Sequence, residues 1–220
     1  MEVFITDYTE MGGGNYCVAG WDANQGRMVR PLPNGRNWST AQIQQFGISP
    51  GVLMQFTVDD AAHPGDFPHT TEDTRVTQAG NLGQRADLWL GQDRPQTANS
   101  VQQAFGGNIV WNSVFQGRKQ GVHIPVGTNC RSLWGLSINS NGMRFVEEFD
   151  KLKCIIDDGD DEYICAVSSA HLKTLFRQGG VNAVNAFLPT NTAAHVRLGL
   201  ARAFGTQADK CFLMVNGIQI

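Results

Sequence analysis

The order of strand-like and helix-like segments constrains the fold of this chain more than any other feature. Near the N-terminus, three strand-like stretches ("VFITDY", "YCVAGWD" and "RMVRPL") precede a short helical stretch, "STAQIQQFG", and two further strands, "GVLMQFTVDD" and "TRVTQAG". Apolar runs bounded by Gly, Asn and Asp are typical of short strands. The C-terminal part repeats this order, from "CRSLWGLSI" through the helical "SSAHLKTLFRQGG" to "HVRLGLARAF" and "KCFLMVNGI". Because the letters themselves do not repeat, the similarity lies in the order alone.

Three strands, a helix and two strands is the order of the OB-fold, a five-stranded Greek-key barrel. We therefore predict a mainly β protein with a few helices, built from two OB-like five-stranded barrels. The predicted barrels span residues 1–80 and 130–220, and residues 81–129 form a connector packed between them. In the second barrel, "MRFVEEF" and "KLKCIID" are predicted to form one strand, bent or bulged at Asp150. A single mixed β-barrel of another topology is the alternative.

The helix of the second barrel has clear ends. Ser168 or Ser169 can cap its N-terminus, and Gly179 and Gly180 can close it. The apolar spacing predicts an inward face between the third and fourth strands, and "VNAVNAFL" predicts a short second helix. That inward face consists of Leu172, Leu175 and Phe176.

Composition indicates a globular protein without a membrane span. Hydrophobic residues make up 41% and charged residues 17%, and no run of 18 apolar residues occurs. The start, "MEVFITDY", lacks the basic region of a secretory signal, so we expect a cytoplasmic protein. The five cysteines form no C-x-x-C pair and sit among apolar neighbours, which predicts free thiols.

Negative charge is concentrated in one place. The net charge is −3, and Glu147–Glu162 contains eight acids and two lysines, a local net of −6. The acidic run "DDGDDE" lacks the spacing of an EF-hand and predicts a solvated hairpin tip. Such a tip repels a phosphate backbone, so any nucleic-acid ligand is expected to lie away from it.

Arg30 is the first candidate binding residue. It ends a strand beside Pro31, and Arg36 and Trp38 follow in "NGRNW". A guanidinium can fork two donors onto a phosphate, and an indole can stack on a base. The alternative is that Arg30 clamps a buried carboxylate while Trp38 lies in the core.

Arg197 and Arg202 form the second candidate pair. On a strand they point to opposite faces, and Arg197 shares its face with Gly199 and Ala201, which leave it open to a ligand. Val196, Leu198 and Leu200 would then fill the core. Pairing of the arginine across the sheet is the alternative.

A histidine-rich loop is the third candidate. "HPGDFPHTTED" places His63, Asp66 and His69 near Glu72 and Asp73, and such residues can ligate metals. The spacing matches no fixed metal motif, so a polar surface loop is the alternative. Glu72 and Asp73 could also clamp a basic residue of the connector. "MGGGN" lacks the ending of a P-loop, and no motif indicates a cofactor.

Two stretches resemble a bacterial family, the dual OB-containing domain. One is "CVAG" followed by Arg30-Pro31; the other is "VRLGLAR" with "VNGI" near the C-terminus. Members tend to continue past that strand with an aromatic and proline-containing tail, whereas this sequence stops at Ile220. The resemblance implies an accessory nucleic-acid-binding module linked to bacterial conflict systems.

These observations favour a non-catalytic module that binds single-stranded or structured nucleic acid. OB grooves bind strands through stacking and a positive track, and we take Trp21 and Trp38 as loop aromatics that could serve in stacking. A protein-interaction adaptor that docks an effector is the alternative, favoured by the modest charge. A metal-dependent hydrolase using the His63–Asp73 loop is a third hypothesis. The expected nucleic-acid-binding residues are Arg30, Arg36, Trp38, Arg197 and Arg202.

Overall fold

A computed structural model describes residues 1–59, 66–85 and 96–219 of the chain. These residues form a mainly β protein with two sheets and three α-helices. In those ranges, no helix combines the length and apolar character needed to cross a membrane. All five cysteines are free thiols, as the sequence predicted.

The first sheet closes into a five-stranded barrel. Strand β1 pairs with both β2 and β5, β2 pairs with β3, and β5 pairs with β6, all antiparallel. The parallel pairing of β3 with β6 closes the ring. The predicted OB-like order is therefore confirmed in this half. The bounds are β1 Glu2–Glu10, β2 Asn15–Asp22, β3 Arg27–Pro33, β4 Trp38–Ser39, α1 Thr40–Phe46, β5 Val52–Val58 and β6 Asp73–Gln84.

Local sequence explains where helix α1, which lies between β4 and β5, begins and ends. Ser39 accepts a hydrogen bond from the Gln42 backbone while the Gln42 side chain accepts one from Ser39, which is a complete capping box. Gly47 ends the helix in the left-handed region at φ 59°. Between these ends, the buried Ile43 anchors the helix on the barrel core, whose largest member is Trp38.

The second sheet has ten strands and is open. Its main path runs β12-β13-β14-β16-β15-β11-β7, with β14 and β16 parallel. The predicted second closed barrel is not present as such. The bounds are β7 Thr97–Ala98, α2 Val101–Ala104, β8 Ser113–Phe115, β9 Arg118–Gln120, β10 His123–Pro125, β11 Leu133–Asn139, β12 Met143–Glu148, β13 Lys151–Asp157, β14 Glu162–Val167, α3 Ala170–Ala186, β15 Ala193–Leu200 and β16 Lys210–Gln219.

A local interruption explains why the second sheet is open. Strands β11 and β12 are consecutive in the chain, but a 3-10 turn at Ser140–Gly142 separates them. As a result, β11 pairs with β15 and β12 pairs with β13, and no ladder joins the two. The stretch predicted as one strand bent at Asp150 is instead the β12–β13 hairpin. Phe149 and Asp150 both have positive φ, 50° and 59°, as a tight two-residue hairpin turn requires.

The described residues of the predicted connector are divided between the sheets, because residues 81–84 end β6 whereas the strands from Thr97 onward belong to the second sheet. Strand β7 extends the sheet beside β11, and β9 and β10 pair with β14 and β16. Buried residues of this segment, including Val101, Phe105 and Ile124, share one core cluster with the C-terminal strands.

Helix α3 covers the same core cluster. Leu172 is buried there as predicted, and Leu175 and Phe176 pack against it partly buried. Gly179 (φ −146°) and Gly180 (φ 66°) have non-helical backbone angles, so the helical segment that begins at Ala170 is broken there and a second segment continues to Ala186. The closure at the two glycines and the short second helix predicted for "VNAVNAFL" are thus confirmed, and this second helix forms the C-terminal part of α3.

A seam joins the barrel to the second sheet. Trp21, Ala19 and Met28 of the barrel form an apolar cluster with Leu133 of β11. Trp21 is therefore buried, unlike the exposed loop aromatic that the sequence suggested. Two buried ion pairs, Arg30–Asp73 and Arg197–Asp7, lie near this cluster. They involve two of the residues that the sequence predicted to bind a ligand.

Candidate ligand-binding cleft at the seam

Arg30 makes the carboxylate clamp that was the alternative to ligand binding. It is 4% exposed, and its Nη1 donates to Asp73 Oδ1 at 2.7 Å. Its Nη2 donates to the hydroxyl of Ser132, across the seam, at 3.0 Å. The parallel register places Arg30 directly opposite Asp73, so the fold itself brings the pair together.

Glu72 completes this polar cluster. Its carboxylate accepts hydrogen bonds from the Ser132 hydroxyl at 2.9 Å and the Ser132 backbone N–H at 3.0 Å. Thr71 donates a further hydrogen bond at 2.7 Å. Burial raises the pKa of Glu72, while Arg30 and these donors oppose the rise. Asp73 does bind basic residues, but they are Arg30 of β3 and Arg202, and neither belongs to the predicted connector.

His69 is a buried neutral ring. Its Nδ1 lies 3.3 Å from Arg30 Nη1, and a guanidinium can only donate, so Nδ1 accepts and the proton sits on Nε2. Burial first, and then the charges of Arg30 and Arg202, lower the pKa of His69 from 6.5 to about 3. The neutral His69 ring therefore has a structural role, in which it accepts a hydrogen bond from Arg30.

The predicted loop residues do not provide a set of metal ligands in the described part of the chain. Asp66 is exposed, His69 faces Arg30, and His63 lies outside the described residues. Over residues 1–59, 66–85 and 96–219, no three His, Cys, Asp or Glu side chains are grouped so that they could hold an ion.

Trp38 and Arg36 do not form the predicted loop pair. Trp38 is 2% exposed, and its Nε1 donates to the Pro31 carbonyl at 2.8 Å within the barrel core. Burial on that scale excludes stacking on a ligand base, so the assignment of Trp38 to binding was wrong. Arg36 is exposed on the adjoining loop.

Arg197 and Arg202 have different surroundings. Arg197 is 3% exposed, and its Nη2 donates to Asp7 Oδ2 of the barrel at 3.3 Å, so it is paired across the seam. Val196, Leu198 and Leu200 fill the core as predicted. Arg202 keeps 41% of its side chain exposed and pairs with the second oxygen of Asp73.

A cleft of about 700 Å³ runs along the seam and brings two of the predicted residues, Arg30 and Arg202, to one site. Its other cations are Lys151, Lys153, Lys173 and Arg177, against the two acids Glu10 and Asp150. The rest of the lining is mainly apolar, including Leu152, Phe176, Phe204 and Met214. A groove with cationic edges and an apolar floor suits a ligand with both anionic and flat apolar parts.

The cations differ in how far they are already neutralised. Arg177 pairs with Glu10 at 2.8 Å, and Asp73 serves both Arg30 and Arg202. Lys173 donates to the Glu10 carbonyl at 2.9 Å, and burial lowers its pKa. Lys151 and Lys153 have no carboxylate within ion-pair distance in the described part of the chain. These two lysines are therefore the charges available to a ligand.

Two aromatic side chains stand exposed beside the cleft. Phe149 is 94% exposed at the turn of the β12–β13 hairpin, next to the lining residue Asp150. Phe204, which lines the cleft, is 73% exposed in the loop after β15. Sequence reasoning missed both, although Phe149 lies among three acids and a lysine in "EEFDK", where an apolar residue has no core to join.

Comparison of the chain with protein-family models, with curated proteins and with solved structures finds no match. The candidate site therefore rests on its own geometry.

Proposed function

We propose that this protein is a binding module that holds single-stranded nucleic acid along the seam cleft. The observation that carries the proposal is the combination of two unpaired lysines and two exposed phenylalanines around one apolar groove. Binding of single strands without sequence preference uses these same elements: a positive track for the phosphates and aromatic faces for the bases.

The second sheet is proposed to be an OB-like barrel whose first strand is interrupted. If β11 and β12 are counted as one strand, broken at Ser140–Gly142, then β13, β14, β15 and β16 are the remaining four. Their pairings then repeat those of the first barrel, including the parallel closing pair. The dual OB architecture implied by the sequence resemblance is in this sense part of the proposal.

The position of the cleft supports this proposal, because it corresponds to the surface that OB-folds use for ligands. OB-folds bind oligonucleotides on strands 2 and 3 and on the loops that join strands 1 to 2 and 4 to 5. Here strands 2 and 3 are β13 and β14, which supply Lys151, Lys153 and Ala166 to the lining. The two loops supply the exposed Phe149 and Phe204.

The lysines occupy the outer face of β13. Residues two apart on a strand share a face, so Lys151 and Lys153 both point away from the core in which Leu152 is buried. The acidic tip lies at the opposite end of β13, beyond Asp157. A single-stranded nucleic acid that follows the two lysines therefore avoids the acidic tip, whose negative charge repels phosphates.

The test is a salt titration of binding to single-stranded DNA and RNA, followed by fluorescence anisotropy. Each phosphate contact contributes about 0.7 to the slope of log affinity against log salt for single strands. The double variant Lys151→Gln, Lys153→Gln is expected to bind more weakly and to reduce that slope by about 1.4. Arg144→Gln, which removes an exposed charge from the neighbouring strand β12, is the matched control and should change neither.

Absence of binding by the wild-type protein, or a slope that the double variant leaves unchanged, would reject the proposal. Failure to bind would instead favour the protein-interaction adaptor. A role in bacterial defence, which the family resemblance implies, belongs with the nucleic-acid proposal and depends on the same result.

A further inference from the structure

Asn216 is an irregular residue at the floor of the cleft. In the pairing of β15 with β16, Arg197 lies opposite Gly217 and Leu198 opposite Val215, so Asn216 has no partner in the ladder. This is a β-bulge, a feature that re-aims a side chain and is common beside functional sites. The Asn216 side chain is consequently turned along the outer face that Met214 shares, and both residues line the cleft.

Gly199 makes room for this side chain. A Cβ added to Gly199 would overlap the amide group of Asn216. The glycine of "VRLGLAR" and the asparagine of "VNGI" therefore belong to one arrangement, in which the bare backbone of β15 accommodates an amide from β16. Gly199 was expected to open space for Arg197, but the space is taken by Asn216.

Only one end of the Asn216 amide is held by the protein. Asn216 is 6% exposed, and the Ser168 hydroxyl donates to its Oδ1 at 2.8 Å. The Nδ2 end has no hydrogen-bond partner among the described residues. Nδ2 is not among the fully buried side-chain atoms that lack a partner, so it is accessible from the cleft that Asn216 lines and is free to donate a hydrogen bond to a ligand.

We propose that Asn216 is a specificity-determining residue of the cleft, whose free amide end hydrogen-bonds to the edge of a nucleobase. The inference rests on the proposed function and adds base selectivity to it. Phosphates are expected at Lys151 and Lys153, at the edge of the cleft, whereas Asn216 lies among apolar groups where a base plane fits. Asn216 also borders a smaller cleft of about 610 Å³. Among the described residues, Arg197 is the one arginine or lysine that lines it, and Arg197 is already paired with Asp7.

The experiment compares oligo(dA), oligo(dC), oligo(dT) and an abasic strand, each of about 16 nucleotides, the upper site size of an OB-fold. A single hydrogen bond from the amide to a base edge is expected to make the wild-type affinities for the best and worst base differ by up to about tenfold. Asn216→Ala is expected to remove most of that difference by weakening the best strand about tenfold. It should leave binding of the abasic strand unchanged.

Met214→Ala is the matched control, because it lies two residues away on the same face and carries no hydrogen-bonding group. It is expected to weaken all four strands by the same factor. Asn216→Asp is the second variant in case Asn216→Ala does not fold, since it keeps the acceptor for Ser168 and loses the donor. It should also remove base discrimination, while its added charge weakens every strand alike.

Unchanged base preference in Asn216→Ala, or an equal loss on the abasic strand, would overturn this inference and leave the proposed function standing. A wild-type protein that binds none of the four strands would overturn both.

Discussion

At the scale of single residues, Arg30 is a structural cation at the seam. Burial by itself lowers the pKa of its guanidinium, but Cys17, Asp73 and Glu72 raise it, and the net direction is upward. The charge is therefore retained inside the protein, shared with Asp73 and the Ser132 hydroxyl. Removing the arginine takes away the cation beside the buried Glu72 and one of the two ion pairs of Asp73, which is more costly than losing a surface ion pair.

Arg30→Ala is expected to lower the free energy of unfolding by about 3–5 kcal/mol, the usual cost of breaking a buried pair. The measurement is chemical denaturation followed by circular dichroism. Arg36→Ala, an exposed arginine on the next loop, should stay within about 0.5 kcal/mol of the wild type. Equal stability of the Arg30 variant and the wild type would contradict the clamp.

His69 is expected to make stability depend on pH. Its pKa is 6.5 in the unfolded chain and about 3 in the fold, so the unfolded state binds the extra proton between these values. The contribution of His69 to the free energy of unfolding is fully present above pH 6.5 and is lost as the pH falls towards 3. Between pH 6.5 and 5 the loss is about 2 kcal/mol.

The raised pKa of Glu72 makes stability change with pH in the opposite direction. The contribution of His69 is therefore measured by comparing the wild type with a His69 variant. The stability of His69→Gln should vary less between pH 7 and pH 5 than that of the wild type. His171→Gln, at an exposed position of α3, should show the wild-type profile. Parallel profiles for wild type and His69→Gln would show that the ring is not held neutral.

At the scale of elements, the two loops that carry Phe149 and Phe204 are the most informative. The positive φ of Phe149 turns its side chain out of the sheet, and no core contact holds it. The sequence located a change of direction at Asp150 but interpreted it as a bend within one strand. A bend and a hairpin turn both interrupt the alternation of apolar residues, so the pattern alone did not distinguish them.

Phe149→Ala and Phe204→Ala are each expected to weaken binding of single-stranded DNA by about 1–3 kcal/mol, the value of one base stacked on an aromatic ring. Stability should hardly change, because both rings are mostly exposed. Phe115→Ala, 59% exposed on the β8–β9 hairpin, is the control. A similar loss in the control, or no loss in either loop variant, would remove stacking from the account.

At the scale of the whole molecule, the barrel and the open sheet share buried charge as well as apolar contact. Asp7 and Arg197 pair across the seam on one side of the Trp21–Leu133 cluster, and Arg30 and Ser132 meet on the other. We expect the two sheets to unfold together, since separating them exposes unpaired ions.

Asp7→Asn tests this coupling. It removes the buried ion pair between Asp7 and Arg197, and breaking a buried pair costs about 3–5 kcal/mol. Circular dichroism and tryptophan fluorescence should report one coincident transition in both the wild type and the variant. Two separate transitions in the wild type would show that the sheets fold independently.

The sequence predicted the first barrel because its strand order, caps and turns all agree with one topology. It predicted the strand order of the second half but not its open sheet, because the break at Ser140–Gly142 and the added strands β7 to β10 depend on long-range pairing. The arginines were singled out correctly as unusual, yet the sequence did not distinguish a ligand from a buried carboxylate. Lys151, Lys153 and Asn216 were missed because only the folded sheet brings them to one cleft.

The most direct test of the central claim is photo-cross-linking of the wild-type protein to a bromouracil-substituted single strand, with the cross-linked peptides identified by mass spectrometry. The account predicts cross-links on the β12–β13 hairpin around Phe149 and on the loop around Phe204, with the loop at Arg36 unmodified. Cross-links confined to the Arg36 loop, or distributed over surfaces away from the seam, would contradict the assignment of this cleft as the binding site.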